Sequence, residues 1–203
     1  PTLADYHSDL SVASRVLRDD YRGLALLSAT ASSKPLLTGN TIELLVNGEE
    51  AYPEMMAAID GARTTVYLAS YIFDGDGIGE RFINSLVAAC RRGVEVRVLI
   101  DGVGRLYSFV RAAPRLREGG VPVALYLPPR LFPPKFTINL RNHRKILVVD
   151  GELAFTGGMN IRQHHMARSA SSRHATEDIH FRLRGPVAQQ LQNVFADDWR
   201  FAS

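Results

Sequence analysis

The chain has 203 residues, 46% of them hydrophobic and 22% charged, with a formal net charge of +3. That composition excludes a disordered, collagenous or membrane-embedded class and fits one well-packed domain or at most two small ones. The mild basic bias suits anionic substrates or lipid headgroups but does not call for nucleic acid.

Residues 1 to 30 carry a helical pattern with Leu10, Val16, Leu17 and Leu24 near one side, and residues 29 to 40 read as linker by composition. Residues 1–40 are therefore expected to form an arm and linker ahead of a domain at 41–203. No apolar run approaches the ~20 residues that span a bilayer, and no signal-peptide pattern stands at the N-terminus. The missing initiator methionine before Pro1 implies a processed or shortened piece.

From residue 41 the pattern alternates. Strands are predicted at 41–46, 65–73, 94–100 and 121–127. Helices are predicted at 49–62, 79–92 and 108–118, the first with Met55, Met56 and Ile59 on its packing side. Such alternation predicts an α/β fold, a three-layer α/β/α sandwich over a mixed, mostly parallel sheet. The lone cysteine, Cys90, cannot form an internal disulfide and reads as a buried core thiol. Asp74-Gly75-Asp76-Gly77 lacks the ligands of a calcium loop, and Asp101-Gly102-Val103-Gly104 follows a strand; both read as turns.

Residues 127 to 140 hold four prolines, so they are irregular; Leu131, Phe132 and Phe136 alternate with Arg130 and Lys135. Two readings stand: a loop lying on a membrane surface, or one folded over to seal the core.

The informative stretch is 142–160, N-H-R-K-I-L-V-V-D-G-E-L-A-F-T-G-G-M-N. Ile146 to Val149 is a β-branched apolar run, Asp150-Gly151 is a strong hairpin signal, and Leu153 to Phe155 reads as the returning strand. A two-residue turn pairs Val149 with Glu152 and sets Lys145 opposite Thr156. His143 and Lys145 share one face. Gly157 and Gly158 are expected to leave open space beside the imidazole, with backbone amides free for a ligand, and Asn160 lies just beyond. A histidine to attack, and a lysine and an amide to hold oxygens, suit a phosphoryl group. Asp150 is expected to fix the hairpin.

Residues 164 to 174 are basic and rich in small residues and read as a mobile loop near the site; no carboxylate or cysteine at ligand spacing makes His164-His165 a metal site. A strand is predicted at 177–183 and a closing helix at 186–201 with Pro186 in its first turn. An attacking imidazole needs an acid on its other nitrogen, and Asp178 is the candidate, with Glu177 on the opposite face.

His143, Lys145, Asp150, Gly157, Gly158 and Asn160 resemble the HxKxxxxD…GGxN signature of the phospholipase D superfamily, and Asp178-Ile179-His180 resembles the D-T-H segment of cardiolipin synthases. L-L-V-N-G-E-E-A-Y-P-E-M-M-A-A-I, Y-I-F-D-G-D-G-I-G-E-R-F, G-V-E-V-R-V-L-I-D-G-V-G and V-F-A-D-D-W look like segments from the first half of those bacterial enzymes. The resemblance implies catalytic roles for His143, Lys145, Asp150 and Asp178, and phosphate binding by Lys145, Asn160, Gly157 and Gly158. It implies phosphatidyl transfer through a phosphohistidine to a glycerol hydroxyl of phosphatidylglycerol, with no metal or other cofactor, at the cytoplasmic side of the bacterial membrane. The family's enzymes carry two such motifs and this chain carries one. The second comes from the missing half of a longer chain or from a homodimer. The alternatives are a homodimeric phosphodiesterase acting on nucleic acid, which the modest charge disfavours, and an inactive lipid-binding half.

Overall fold

Ile146-Leu147-Val148-Val149 is buried at every position, and Thr65–Ser70 and Glu95–Asp101 nearly so. Strands apolar on both faces must lie inside a sheet covered on both sides. The computed structural model, which describes residues 19–32, 34–129, 141–168 and 175–203, has that arrangement. Its strands are β1 (Thr41–Val46), β2 (Thr65–Ser70), β3 (Glu95–Asp101), β4 (Val123–Tyr126), β5 (Ile146–Val149), β6 (Leu153–Gly157) and β7 (Ile179–Arg184). They form one sheet in the order β1-β7-β6-β5-β2-β3-β4. Its helices are α1 (Asp19–Ser32), α2 (Asn47–Asp60), α3 (Ile78–Arg91), α4 (Ala112–Glu118) and α5 (Pro186–Ala202).

The sheet is mixed. Parallel pairing is confined to β2-β3-β4, where helices make the crossovers; every neighbour from β2 to β1 through the hairpin is antiparallel. The antiparallel share exceeds the expectation because the hairpin enters beside β2 and its return strand recruits β7, which in turn recruits β1.

Period-2 alternation divides the core. Leu147 and Val149 face the side covered by α2, α3 and α4, where Tyr52, Ile59, Phe82, Leu86 and Leu116 are fully buried. Ile146 and Val148 face α5, where Phe195 and Ala188 pack on Leu99, Ala154 and Leu183. Helix α3 buries Ile78, Phe82, Ile83, Leu86 and Ala89, an apolar stripe at helical spacing. Each such side chain contributes about 1.5–3 kcal/mol. Truncating Phe155, fully buried beneath α2, would cost about 3–5 kcal/mol. Cys90 is half-buried at the edge of this core rather than inside it, and its thiol donates to the Gly120 carbonyl at 3.5 Å.

The hairpin register differs from the expectation by one residue. Asp150 (φ 52°) and Gly151 (φ 71°) are both left-handed, as the signal predicts. Glu152, however, stays out of the ladder: its N–H donates to Val149 O, and its carbonyl accepts from Gly185 N. Val149 therefore pairs with Leu153, and Ile146 rather than Lys145 stands opposite Thr156.

The helix predicted at 108–118 begins only at Ala112, because Ser108 is drawn inward to Asp74, and a separate 3-10 turn at Gly104–Tyr107 precedes it. The Pro-rich loop at 130–140, the first 18 residues and positions 169–174 of the polar loop lie outside the described residues.

Candidate active site

The carboxyl ends of β1, β2, β3 and β6 and the amino ends of β5 and β7 meet at one edge of the sheet, the end where α/β folds place their sites. His143 arrives there on a fixed approach. Asp101, buried at the end of β3, accepts from the Asn142 N–H (3.1 Å) and from the Val103 and Gly104 N–H groups (2.8 and 3.0 Å). The Arg141 guanidinium lies 3.5 Å from the same carboxylate, also buried. Asn142 is buried too, and its side chain donates to Asp198 of α5 at 2.8 Å, which also pairs with Arg144. The residues on either side of His143 are thus held by the end of β3 and by α5. Asp101, read from sequence as part of a turn, makes that turn and anchors the motif as well.

Beyond these anchors the His143 ring is exposed and stacks on Tyr71, centroids 4.1 Å apart and planes 28° apart. The Lys145 ammonium lies 5.6 Å from the centre of the same ring and donates to the His143 carbonyl at 2.8 Å. Histidine and lysine therefore share one aromatic platform. Burial lowers the Lys145 pKa from the ordinary lysine value, and the Asp178 carboxylate pulls it partly back.

Asp178 is held by Asn47, whose N–H donates to the Asp178 carbonyl and whose side-chain oxygen accepts the Asp178 N–H, both at 2.9 Å. Asn47 does this in a left-handed conformation (φ 58°), which asparagine tolerates better than most residues. The Asp178 carboxylate accepts from Ile179 N–H and sits 3.9 Å from Nδ1 of buried His165. His165 Nε2 accepts the Asn160 N–H at 3.3 Å, so its proton is on Nδ1, facing Asp178. Among the described residues no contact joins Asp178 to the His143 ring.

The space above the paired glycines is not open. A Cβ on Gly158 would stand 2.2 Å from Asp178 Oδ1, and one on Gly157 would stand 2.6 Å from His180 Nδ1. The glycines admit the protein's own carboxylate and imidazole. Gly158 N–H is also taken, donating to Ile179 O at 3.1 Å. Burial pushes His180 down to about 4, and neither of its ring nitrogens meets a hydrogen-bond partner among the described residues.

Asn160 side-chain oxygen accepts Ile72 N–H at 3.0 Å, while Tyr52 hydroxyl donates to the Asn160 carbonyl at 2.6 Å. With that oxygen occupied, the Asn160 NH2 group is the part left to donate elsewhere. Asp150 sits at the far end of β5. Its carboxylate accepts from Arg63, Thr64 and Thr65 N–H groups and the Thr64 hydroxyl. Burial alone would raise its pKa, but these donors outweigh burial and hold it below the usual carboxylate value.

Tyr71, Asp101, His165 and His180 were not singled out as site residues from the sequence. His180 had a signal, since it follows Asp178 by two residues on a strand and shares its face. Tyr71 had none. No group of three or more His, Cys, Asp or Glu able to hold a metal occurs among the described residues, and no described helix is long and apolar enough to cross a membrane.

Residues 55–199 match the family described as cardiolipin synthase, PLD-like domain. Cardiolipin synthase A of Pseudomonas aeruginosa is 37% identical over 184 residues, and a probable cardiolipin synthase of Bacillus subtilis is 30% identical over 187. These alignments cover 90% and 92% of this chain but 37% of each relative, so the chain spans little more than a third of their length. The crystal structure of Nuc, a phospholipase D family member from Salmonella typhimurium, superposes with a TM-score of 0.60 at 22% identity, covering 81% of this chain and 97% of that one. At that identity the likeness shows the fold alone.

Proposed function

The chain belongs to the cardiolipin synthase family of phospholipase D-like domains, and from that premise we propose that it is one catalytic half of a phosphatidyltransferase working on phosphatidylglycerol-type lipids at the cytoplasmic face of the bacterial membrane. The observation that carries the reading is the Tyr71 platform, which presents an exposed imidazole and a lysine ammonium together at the sheet end.

In this reading a ring nitrogen of His143 attacks the phosphorus of the donor lipid. A P–N bond forms as the P–O bond to the headgroup glycerol breaks. The leaving oxygen takes a proton from an acid supplied by a second motif, in the other half of a longer chain or in a second copy. A glycerol hydroxyl of the acceptor lipid then gives its proton to that group and attacks the phosphorus; the P–N bond breaks and His143 returns to its starting state. With the roles of the halves exchanged, His143 is the acid. Lys145 and the Asn160 NH2 group hold the non-bridging oxygens. Asp178 is assigned to the imidazolium, since catalytic hydrogen bonds often tighten only with substrate bound. Gly157 and Gly158 serve by letting Asp178 and His180 approach, and Asp150 serves by fastening the hairpin.

The test is synthesis of cardiolipin from phosphatidylglycerol vesicles by the full-length protein, read by lipid mass spectrometry. His143→Ala abolishes the product in this account; an unimpaired His143→Ala enzyme removes His143 from the chemistry. A pure chain that sediments as a dimer and turns over alone supports a two-copy site instead of two halves of one chain.

A further inference from the structure

The segment between β3 and α4 plays no part in that chemistry, yet it is built as a protrusion on a fixed base. On its entry side Val103 and Gly104 are bonded to Asp101. In the middle, buried Ser108 donates to Asp74 Oδ1 at 2.6 Å, and Asp74 is held in turn by Arg162 Nε at 3.0 Å. On the exit side Gly75 N–H donates to Val110 O at 2.7 Å, and Arg111 forms an isolated bridge with Asp74.

Between these anchors the side chains turn outward. Leu106 and Tyr107 are 56% and 58% exposed, and Phe109 is wholly so at 106%. An apolar ring held in water on an anchored base forgoes burial that other residues of its type obtain here. Arg105 and Arg111 flank the protrusion. Its inner end joins the candidate site, because the Tyr107 ring lies 6.3 Å from Tyr71, which carries His143.

We propose that residues 105–111 are the contact with an anionic lipid bilayer: Phe109, Leu106 and Val110 enter the boundary between headgroups and acyl chains, and Arg105 and Arg111 meet lipid phosphates. A stable protein partner wants roughly 800 Å² of matched surface on each side. A tip of four apolar side chains with a cation at either end fits an interface entered to a depth of ~5–10 Å instead. That depth is also where a phosphodiester substrate lies, so the same contact would bring His143 to the headgroup layer. The inference rests on the phosphatidyltransferase reading, since only a lipid substrate requires the site to sit on a bilayer.

The experiment is flotation of this chain with vesicles of phosphatidylglycerol and phosphatidylcholine. Phe109→Ser is expected to weaken binding roughly tenfold or more without changing the melting temperature, because the ring is fully exposed. Added salt weakens wild-type binding further. Phe109→Trp, read as a difference from the wild-type spectrum, is expected to shift its emission to shorter wavelength when vesicles are added. Unchanged binding in Phe109→Ser, or unshifted emission in Phe109→Trp, overturns the proposal. So does a self-associated mass in solution that Phe109→Ser abolishes, which would give the tip to a second copy. Histidine labelling of the full-length protein by a soluble short-chain phosphatidylglycerol reads the chemistry separately, and Phe109→Ser is expected to keep it. If the full-length wild type never labels while vesicle binding of this chain still depends on Phe109, the surface stands and the chemistry falls.

Discussion

The His143 imidazole stacks on the Tyr71 ring at a centroid separation of 4.1 Å, and Lys145 lies 5.6 Å from the centre of that same ring. An exposed side chain just ahead of a strand would otherwise sample several rotamers, so in the proposed reaction Tyr71 fixes the direction from which His143 meets phosphorus. Tyr71→Leu is expected to slow histidine labelling about 10- to 100-fold with the fold intact, because small errors of placement are costly in a positioned reaction. Tyr71→Phe keeps the platform and should stay within a few-fold of wild type. Rapid-quench labelling checks both.

Asp178 and Lys145 are coupled through their charges. Burial holds the Lys145 pKa below the ordinary lysine value and Asp178 opposes it. In its proposed role the lysine must be charged to hold phosphate oxygens, so activity is expected to fall as pH rises through that lowered value. Asp178→Asn removes the opposing carboxylate, and the alkaline limb of the labelling rate is expected to move to lower pH. A limb that stays in place, whatever the loss in absolute rate, would show that the two groups are uncoupled.

Buried His180 gives an acid signature. Its folded pKa of about 4 lies below the ordinary histidine value of 6.5, so between those pH values the unfolded chain binds a proton that the folded chain does not. Stability from this group is complete above about pH 6.5 and declines as pH falls toward 4, by about 3 kcal/mol across the window. Among the described residues its ring nitrogens have no hydrogen-bond partners to lose. His180→Leu should therefore flatten this part of the stability profile without lowering stability at neutral pH. Urea titrations at several pH values measure both.

Asp150 belongs to the hairpin's fastening. Asp150→Ala is expected to cost about 1–2 kcal/mol, since the Arg63, Thr64 and Thr65 amides regain water at an exposed site. Histidine labelling per folded molecule should change by less than about threefold, because the carboxylate sits at the end of β5 away from His143. Thermal melts and labelling together separate this from a role at phosphorus.

The layers of the fold and the shared placement of His143 and Lys145 were legible in the sequence, because apolar periodicity and the motif's spacing are local signals. Ile146 to Val149 reads as an apolar strand and is one, buried at all four positions. The details that failed depend on contacts distant in sequence. Whether Glu152 joins the ladder is decided by Val149 and Gly185. Whether Gly158 leaves a hollow is decided by where Asn47, more than a hundred residues away, pins Asp178. Tyr71 carries no spacing signal, since its importance comes only from the parallel and antiparallel neighbours that bring its strand end beside His143.

The most direct measurement is mass spectrometry of the full-length protein quenched during turnover of phosphatidylglycerol. The account predicts a phosphatidyl adduct on the peptide carrying His143, or on the second motif's histidine with His143→Ala then blocking its turnover. An adduct on any other residue, or product formed at the wild-type rate by His143→Ala, contradicts it.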